Sequence, residues 1–443
     1  MAVCSKFARV SCFVFFVSII AVILPVTCPA QTFPPISADE LKMASEPQAP
    51  GASAVILFRE VDRDDNGRTS HENEFVRIKI LTEEGRKYGD IEIPFNKANE
   101  NVVSIRARTV SPDGSSVDFD GKVFEKTIVK AQGLKYLAKT FTLPNVQVGS
   151  IIEYRYTYDF QELQLFESHW IVSSELFTRN AKFTLKPYQT TAYLASSMGL
   201  RWTWKGLPDG ITPKQGPDKV VRMELQNIPA FQEEELMPPP NELKARVDFI
   251  YTDEFLESTP DQYWRHVNKK RNEALESFIG KRKAMEEAVN QIVSPSDPPE
   301  VKLRKIYDRV QQLRNTSYEI QKSAEEEKRD KEKPVENVED LWKHGYGDGM
   351  QLTWLYLALV RAAGFDAYGV WVSSRSEYFF SPQTMEQNKL RANVVLVKLN
   401  GKDLFLDPGA EFHTLWHAGV GRDRNSWAVP QQGRRHLGKN HSS

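Results

Sequence analysis

Gly345–Tyr368 reads GYGDGMQLTWLYLALVRAAGFDAY, a glycine-rich turn running into an apolar helix that stops at Gly364. Met350, Leu352, Trp354, Leu355, Leu357, Leu359 and Val360 leave almost no polar face. A helix greasy all round is buried on all sides. Gly364 suits the left-handed position that ends a helix, and Ala367–Ser374 (AYGVWVSS) then reads as a buried strand. Unpaired N–H groups and the helix dipole make the start of such a helix a place for a nucleophile or an anion.

Downstream, Arg375–Leu390 reads as a loop over the surface, and Ala392–Leu399 and Lys402–Leu406 form a hairpin through Asn400-Gly401. A three-residue loop sets Asn393 opposite Asp407, and a two-residue loop sets it opposite Pro408. Either register makes positions 393 and 407 neighbours. Upstream, Thr259, Pro260 and Gln262 mark a helix start, and Asp297, Pro298 and Glu300 repeat the signal ahead of an apolar stripe at Val301, Ile306, Tyr307, Val310 and Leu313. Ser323–Lys333 is a mixed charge run, read as a solvated loop, and a short helix around Val338–Lys343 leads into the glycine turn.

Ahead of these helices the texture is β. From Ala52 to about Thr252, short alternating or β-branched runs such as Glu74–Leu81, Val102–Val110 and Ser150–Phe160 are separated by turns such as Ser111-Pro112-Asp113-Gly114. Many short strands with turn signals favour an antiparallel β-sandwich or a similar sheet pair. Asp62-Arg63-Asp64-Asp65-Asn66-Gly67 imitates the start of a calcium loop, but its twelfth position is Asn73 and strands flank it, so a turn between paired strands is expected. Gln31–Gly51 is a lead expected to be poorly ordered apart from a short helix at Ser37–Ser45.

The chain has 443 residues, 26% charged with formal charge −1, which gives no basic surface for nucleic acid. Lys6 and Arg9 precede the apolar run Val10–Val26, and Cys28-Pro29-Ala30 forms a cleavage site before Gln31, the pattern of a signal peptide. An uncleaved anchor is the other reading of this run, and a membrane association would come only through it. All three cysteines, Cys4, Cys12 and Cys28, lie in this segment, so the mature chain can use neither a disulfide nor a thiol.

A helix with a polar N-terminus followed by two polar positions on adjacent strands resembles the transglutaminase-like, papain-related superfamily across about Asp297–Gly409. The likeness rests on helix Val301–Leu313, the Gly345-Tyr346-Gly347-Asp348 turn, the Leu355–Gly364 helix end and Asp407-Pro408-Gly409. The fuller likeness is to exported bacterial proteins that place a β-rich domain of unknown function in front. The resemblance implies an α+β chain, an N-terminal antiparallel β-sandwich-like domain followed by a transglutaminase-like (papain-type) α+β domain. The expected division is a signal peptide at 1–30, a linker at 31–51, the β-rich domain at 52–252, the transglutaminase-like domain at 258–410 and an atypical, disordered tail at 411–443.

In that superfamily the turn is followed by a cysteine, the strand pair supplies a histidine, and an aspartate orients it, so that a thiolate attacks an amide carbonyl. By position these roles fall on Gly349, Asn393 and Asp407, of which only Asp407 keeps its chemistry. Glycine has no side chain, and asparagine cannot shuttle a proton near neutral pH. Thr353, Ser373 and Ser374 are the nearest hydroxyls, with no histidine in the hairpin to activate them. The tail holds four of the eight histidines, and His413-x-x-x-His417 lacks a third ligand for zinc. Related proteins continue into a C-terminal β-rich domain, and a frameshift or truncation near Phe412 is expected to have replaced it here.

The expected function is therefore an exported, catalytically inactive module that binds or scaffolds a peptide, glycan or protein of the cell envelope, without cofactor or metal. Asp348, Tyr346 and Trp354 are the expected binding residues, beside a pocket made roomier by Gly349. An active transglutaminase or cysteine peptidase is the alternative, and a structural component or a damaged gene product is a third reading.

Overall fold

The computed structural model describes residues 33–97, 99–131, 134–160, 168–189, 199–234, 236–252, 259–280, 282–319, 333–374, 378–410 and 429–430. The leader, most of the charge run 323–333 and nearly all of the tail lie outside the described residues. Ser37–Ser443 is one compact unit, distinct from Met1–Ile36. Among the described residues no helix is long and apolar enough to cross a membrane. The architecture is α+β.

The chain begins with α1 (Ala38–Lys42), β1 (Ala54–Asp64), β2 (His71–Ile80), β3 (Asp90–Asn96) and β4 (Glu100–Val110). β5 (Ser116–Asp118), β6 (Phe124–Ala131), β7 (Leu134–Thr142), β8 (Ile151–Phe160) and β9 (His169–Ile171) follow. β10 (Thr178–Lys186), β11 (Gly199–Lys205), β12 (Lys214–Gln215), β13 (Val221–Ile228), α2 (Pro240–Leu243) and β14 (Arg246–Thr252) complete the β-rich part. Eight strands form one sheet in the order β12-β13-β10-β1-β2-β8-β4-β5, and two three-stranded sheets, β3-β7-β6 and β11-β14-β9, accompany it. The calcium-loop imitation is the β1–β2 turn, where Asp65 accepts from Arg63 Nε at 2.9 Å and from the Tyr251 hydroxyl at 3.1 Å.

Both small sheets cover the same face of the large one. Directly opposed residues share a face, and Ile56 opposes Ile78, Ile78 opposes Ile152, and Val61 opposes Phe183. Ile56, Ile78 and Ile152 pack against Ile91, Phe95, Leu137 and Phe141 of β3-β7, while Val61, Phe183, Leu185 and Met223 pack against Trp170, Val247 and Phe249 of β9-β14. The large sheet departs from the expected all-antiparallel pattern in one pairing, since β1 pairs with β10 in parallel.

The opposite face carries charge under cover. Glu153 is fully buried between Arg77, at 2.7 Å, and Arg108, at 2.5 Å. Helix α1 closes over this row, with Glu40 on Arg77 at 2.9 Å and the Leu41 carbonyl accepting from Lys79 Nζ at 2.7 Å. The short helix expected at Ser37–Ser45 forms over Ala38–Lys42 with Ser37 as its cap, and these bonds hold it in place.

The second part is built from α3 (Pro260–Ile279), α4 (Arg282–Ile292), α5 (Pro299–Gln311), β15 (Arg314–Asn315), α6 (Val338–His344) and β16 (Tyr346–Gly347). Then come α7 (Gly349–Ala362), β17 (Asp366–Val372), β18 (Ala392–Leu399), β19 (Lys402–Leu406) and β20 (Val429–Pro430), the strands pairing in the order β19-β18-β17-β20. Every residue from Leu352 through Val360 is buried, as the apolar pattern requires. Gly364 takes φ +92° just past the helix end. Thr259 caps α3 by accepting from Gln262 N–H at 3.3 Å. The second helix start shifts by one residue: Asp297 accepts from Ser294 N–H and Lys305 instead, and Pro298 is the cap. In α5 the buried face carries Leu303 where Val301 was expected, since Val301 is exposed.

The segment 378–391 does not run over the surface as expected. Arg201 of β11 donates to the Thr384 carbonyl at 2.7 Å and to that of Met385, and Trp264 of α3 donates to the Pro382 carbonyl at 2.8 Å. Lys389 reaches Glu386 at 2.9 Å and Asp248 of β14 at 3.6 Å, and Asp248 also pairs with Arg246. This segment seams the two parts together.

Candidate functional site

The N-terminus of α7 is set by two local devices. Gly345 ends α6 in the left-handed conformation, which turns the chain toward α7. Asp348 then accepts from Gln351 N–H at 2.8 Å while Gln351 Oε1 accepts from Asp348 N–H at 3.0 Å, a reciprocal capping box. Asp348 is thus committed to the helix start. Tyr346 donates to the Lys333 carbonyl at 2.7 Å and stacks on His344, while Trp354 is 7% exposed in the core against Phe278 and Trp371.

Gly349, the first residue of α7, is half-buried. Its N–H donates to Ser317 Oγ at 2.9 Å, and a Cβ added there would stand 2.9 Å from the Gly409 carbonyl oxygen. On the other side, a Cβ on Gly409 would stand 2.0 Å from the Gly349 carbonyl oxygen and 2.6 Å from Thr353 Oγ1. Two backbones therefore meet at the position where the resemblance led us to expect a nucleophile. The expected roomier pocket with free N–H donors is not formed, because the Gly409 backbone fills the space and Ser317 takes the Gly349 N–H.

Helix α5 and its following turn hold the Asp407–Ala410 backbone in that position. The Tyr307 hydroxyl donates to the Asp407 carbonyl at 2.9 Å, Gln311 Nε2 to those of Pro408 at 2.5 Å and Ala410 at 3.1 Å, and Asn315 Nδ2 to that of Gly409 at 2.8 Å. Gln311, Asn315 and Ser317 were not singled out in the sequence. Their roles depend on which backbone lies opposite, which no local pattern announces.

The hairpin resolves to the two-residue loop. Leu399 opposes Lys402, with Asn400 at φ +52° and Gly401 at φ +75°, and continuing this register sets Asn393 opposite Pro408. Asn393 is cross-strand from Trp371. It is 7% exposed, and its Oδ1 has no hydrogen-bond partner among the described residues. The same holds for Nε1 of Trp354 and of Trp371, whose rings lie 6.4 Å apart. Arg271 stacks over Trp371 at 4.3 Å. Asp407 is buried. Thr353, the nearest hydroxyl, donates to the Gly349 carbonyl at 2.9 Å, and Ser373 Oγ lies 3.4 Å from the Tyr378 carbonyl. The site thus combines a close Gly349–Gly409 backbone contact with one acceptor and two donors that have no partners among the described residues.

Residues 65–232 match the model of a family described as a domain of unknown function with a solved structure, DUF3857. The match begins in the β1–β2 turn and ends just after β13, within the β-rich part. No curated protein matches. Among solved structures, a putative protease from Parabacteroides distasonis superposes with a TM-score of 0.56 at 15% identity, covering 86% of this chain and 70% of that one. That likeness is one of fold. An M1 zinc metallopeptidase from Deinococcus radiodurans has a TM-score of 0.22 at 8% identity, over 44% of this chain and 42% of that one. Leukotriene A4 hydrolase from Saccharomyces cerevisiae has a TM-score of 0.25 at 10% identity, over 56% of this chain and 40% of its own.

Proposed function

We propose that the chain is an exported protein whose second part is a transglutaminase-like, papain-type domain without catalytic activity, serving as a binding or scaffolding module in the cell envelope. The observation that carries this reading is the contact of Gly349 with the Gly409 carbonyl, where even a Cβ would stand 2.9 Å from an oxygen. A thiol at that position would need the Asp407–Ala410 backbone to move, against the four hydrogen bonds from Tyr307, Gln311 and Asn315. Asn393 in place of the histidine agrees with it, as does a chain without cysteine after Cys28. Loss of the nucleophile from such a constellation costs about 10⁶-fold in rate.

Binding is supported by the unpartnered Asn393 Oδ1, Trp354 Nε1 and Trp371 Nε1. Buried polar atoms are otherwise nearly always paired, and one acceptor beside two donors suits a carboxamide or peptide group of an envelope peptide, glycan or protein. Export rests on the leader pattern of the first thirty residues. The alternative, an active amide acyl transferase or hydrolase, draws on the fold shared with a putative protease.

The test is a pair of assays on the full chain. Ammonia release from glutamine peptides and hydrolysis of fluorogenic peptide amides should stay at background, and turnover abolished by Asp407→Ala would overturn the inactive reading. A thermal-shift screen with envelope-derived peptides and glycans should give at least one stabilising ligand whose effect Asn393→Leu removes. A blank screen counts against the binding role.

A further inference from the structure

The small sheet β3-β7-β6 buries one face and leaves the other outward. Alternation along its strands separates the two: Ile91, Ile93 and Phe141 are buried, whereas Asp90, Glu92, Phe124 and Thr142 are exposed. Thr140 stands opposite both Phe124 of β6 and Glu92 of β3, and Thr142 stands opposite Asp90. Opposed residues share a face, so these side chains stand together on the outward one. They line a groove of about 340 Å³, to which Phe119 and Lys122 also belong. That volume falls within the about 300–1,000 Å³ of small-molecule sites. Gly121 shapes the groove. A Cβ there would stand 2.7 Å from the Phe119 ring, so only a bare backbone lets the loop lie against that ring, which itself packs on Phe141 at 4.9 Å.

The groove joins an aromatic ring in water to a set of polar groups. Phe124 is 61% exposed, and leaving such a ring in water forgoes about 1.5–3 kcal/mol of burial. The charges beside it are matched. Glu92 pairs with Lys126 at 3.0 Å, Asp90 accepts from the Thr142 hydroxyl at 2.6 Å, and Lys122 brings a second ammonium to the groove. An ion therefore has no advantage here over a neutral guest. A purely apolar guest would cover Asp90 and Glu92 with hydrocarbon, at a cost in desolvation. A pyranose ring suits both halves. Its C–H face carries a slight positive charge that fits the negative face of an aromatic ring. Its hydroxyls can donate to the carboxylates and exchange hydrogen bonds with the threonine hydroxyls.

We propose that the groove at the start of β6 binds a neutral saccharide, with one pyranose ring stacked on Phe124 and its hydroxyls held by Asp90, Glu92 and Thr140. The groove lies in the β-rich part and shares no residue with the Gly349 and Asn393 region. The assignment does not depend on the reading given to that region.

Calorimetric titration of the full chain with three neutral hexasaccharides, cellohexaose, chitohexaose and maltohexaose, tests it, with hexagalacturonate as the charged counterpart. At least one neutral sugar should bind saturably, and the polyanion about tenfold more weakly or worse, because Asp90 and Glu92 repel its carboxylates. Phe124→Leu keeps an apolar side chain but removes the ring, and should weaken the sugar about tenfold. Phe124→Tyr keeps the ring and should retain binding. Since Phe124 is exposed, neither change threatens the fold. Thr140→Val, which removes one hydroxyl, should weaken the sugar as well. Asn393→Leu should leave this affinity unchanged, which separates the groove from the region around Gly349. No saturable binding of any of the three sugars, equal or tighter binding of hexagalacturonate, or sugar binding that Phe124→Leu leaves unchanged would each overturn the proposal.

Discussion

Gly409 shows how little room the fold leaves at the scale of one residue. Its missing Cβ lets the Asp407–Ala410 backbone lie against the first turn of α7. Gly409→Ala should therefore destabilise by about 1–3 kcal/mol through overpacking, read as a lower urea midpoint with an unchanged slope. Gly349→Ala should cost less, because its Cβ would meet one oxygen at 2.9 Å and alanine regains up to about 1 kcal/mol of helix preference. Glu72 allows a prediction of the opposite sign. Its folded carboxyl holds a proton up to about 7, above its ordinary 4.5. Between those values the folded state binds more protons than the unfolded one, so this group's stability contribution falls as pH rises through the window. Glu72→Gln should remove that slope and stabilise the protein by roughly 1–3 kcal/mol at pH 8, measured by denaturant melts from pH 5 to 8.

Among elements, those read well from sequence were the ones whose cause is local. Helix α7 is apolar on every side and could only be buried. Thr259 precedes its helix as a cap, and Asn400-Gly401 can hardly be anything but a tight turn, whereas Asp348, expected to bind, is committed to capping α7. The Asp348 capping box is worth about 0.5–2 kcal/mol. Asp348→Ala should lower Tm accordingly and speed amide exchange first at the start of α7, where Gln351 N–H loses its acceptor. What escaped the sequence depends on distant partners. Nothing near Arg375–Leu390 indicates that Arg201, some 180 residues earlier, donates to its carbonyls, so a polar stretch was read as a surface loop. The Gly349–Gly409 contact was hidden for the same reason. Gly349, Asn393 and Asp407 can be named one by one in the sequence, but which backbone lies against Gly349 belongs to the tertiary structure.

Across the whole molecule, the parallel pairing of β1 with β10 sets the limits of what can fold alone. β1 is hydrogen-bonded on both edges, to β2 and to β10, yet it ends at Asp64, just ahead of the 65–232 match. A fragment cut to 65–232 loses a central strand together with Val61, Ile56 and Ala54 from both cores. That fragment should lack a cooperative thermal transition, whereas the full chain should show one by circular dichroism.

The same pairing has a temporal side. Ile56 opposes Thr178 and Asp64 opposes Lys186, so the middle of the sheet closes only over a loop of more than a hundred residues. Such non-local contacts slow folding. At about 5–20 residues per second of synthesis, the chain spends several seconds with β1 made and β10 not yet available. During that interval β1 and β2 form a hairpin with a bare edge, and the nascent protein stays open to chaperones and to other strands until Lys186 has emerged.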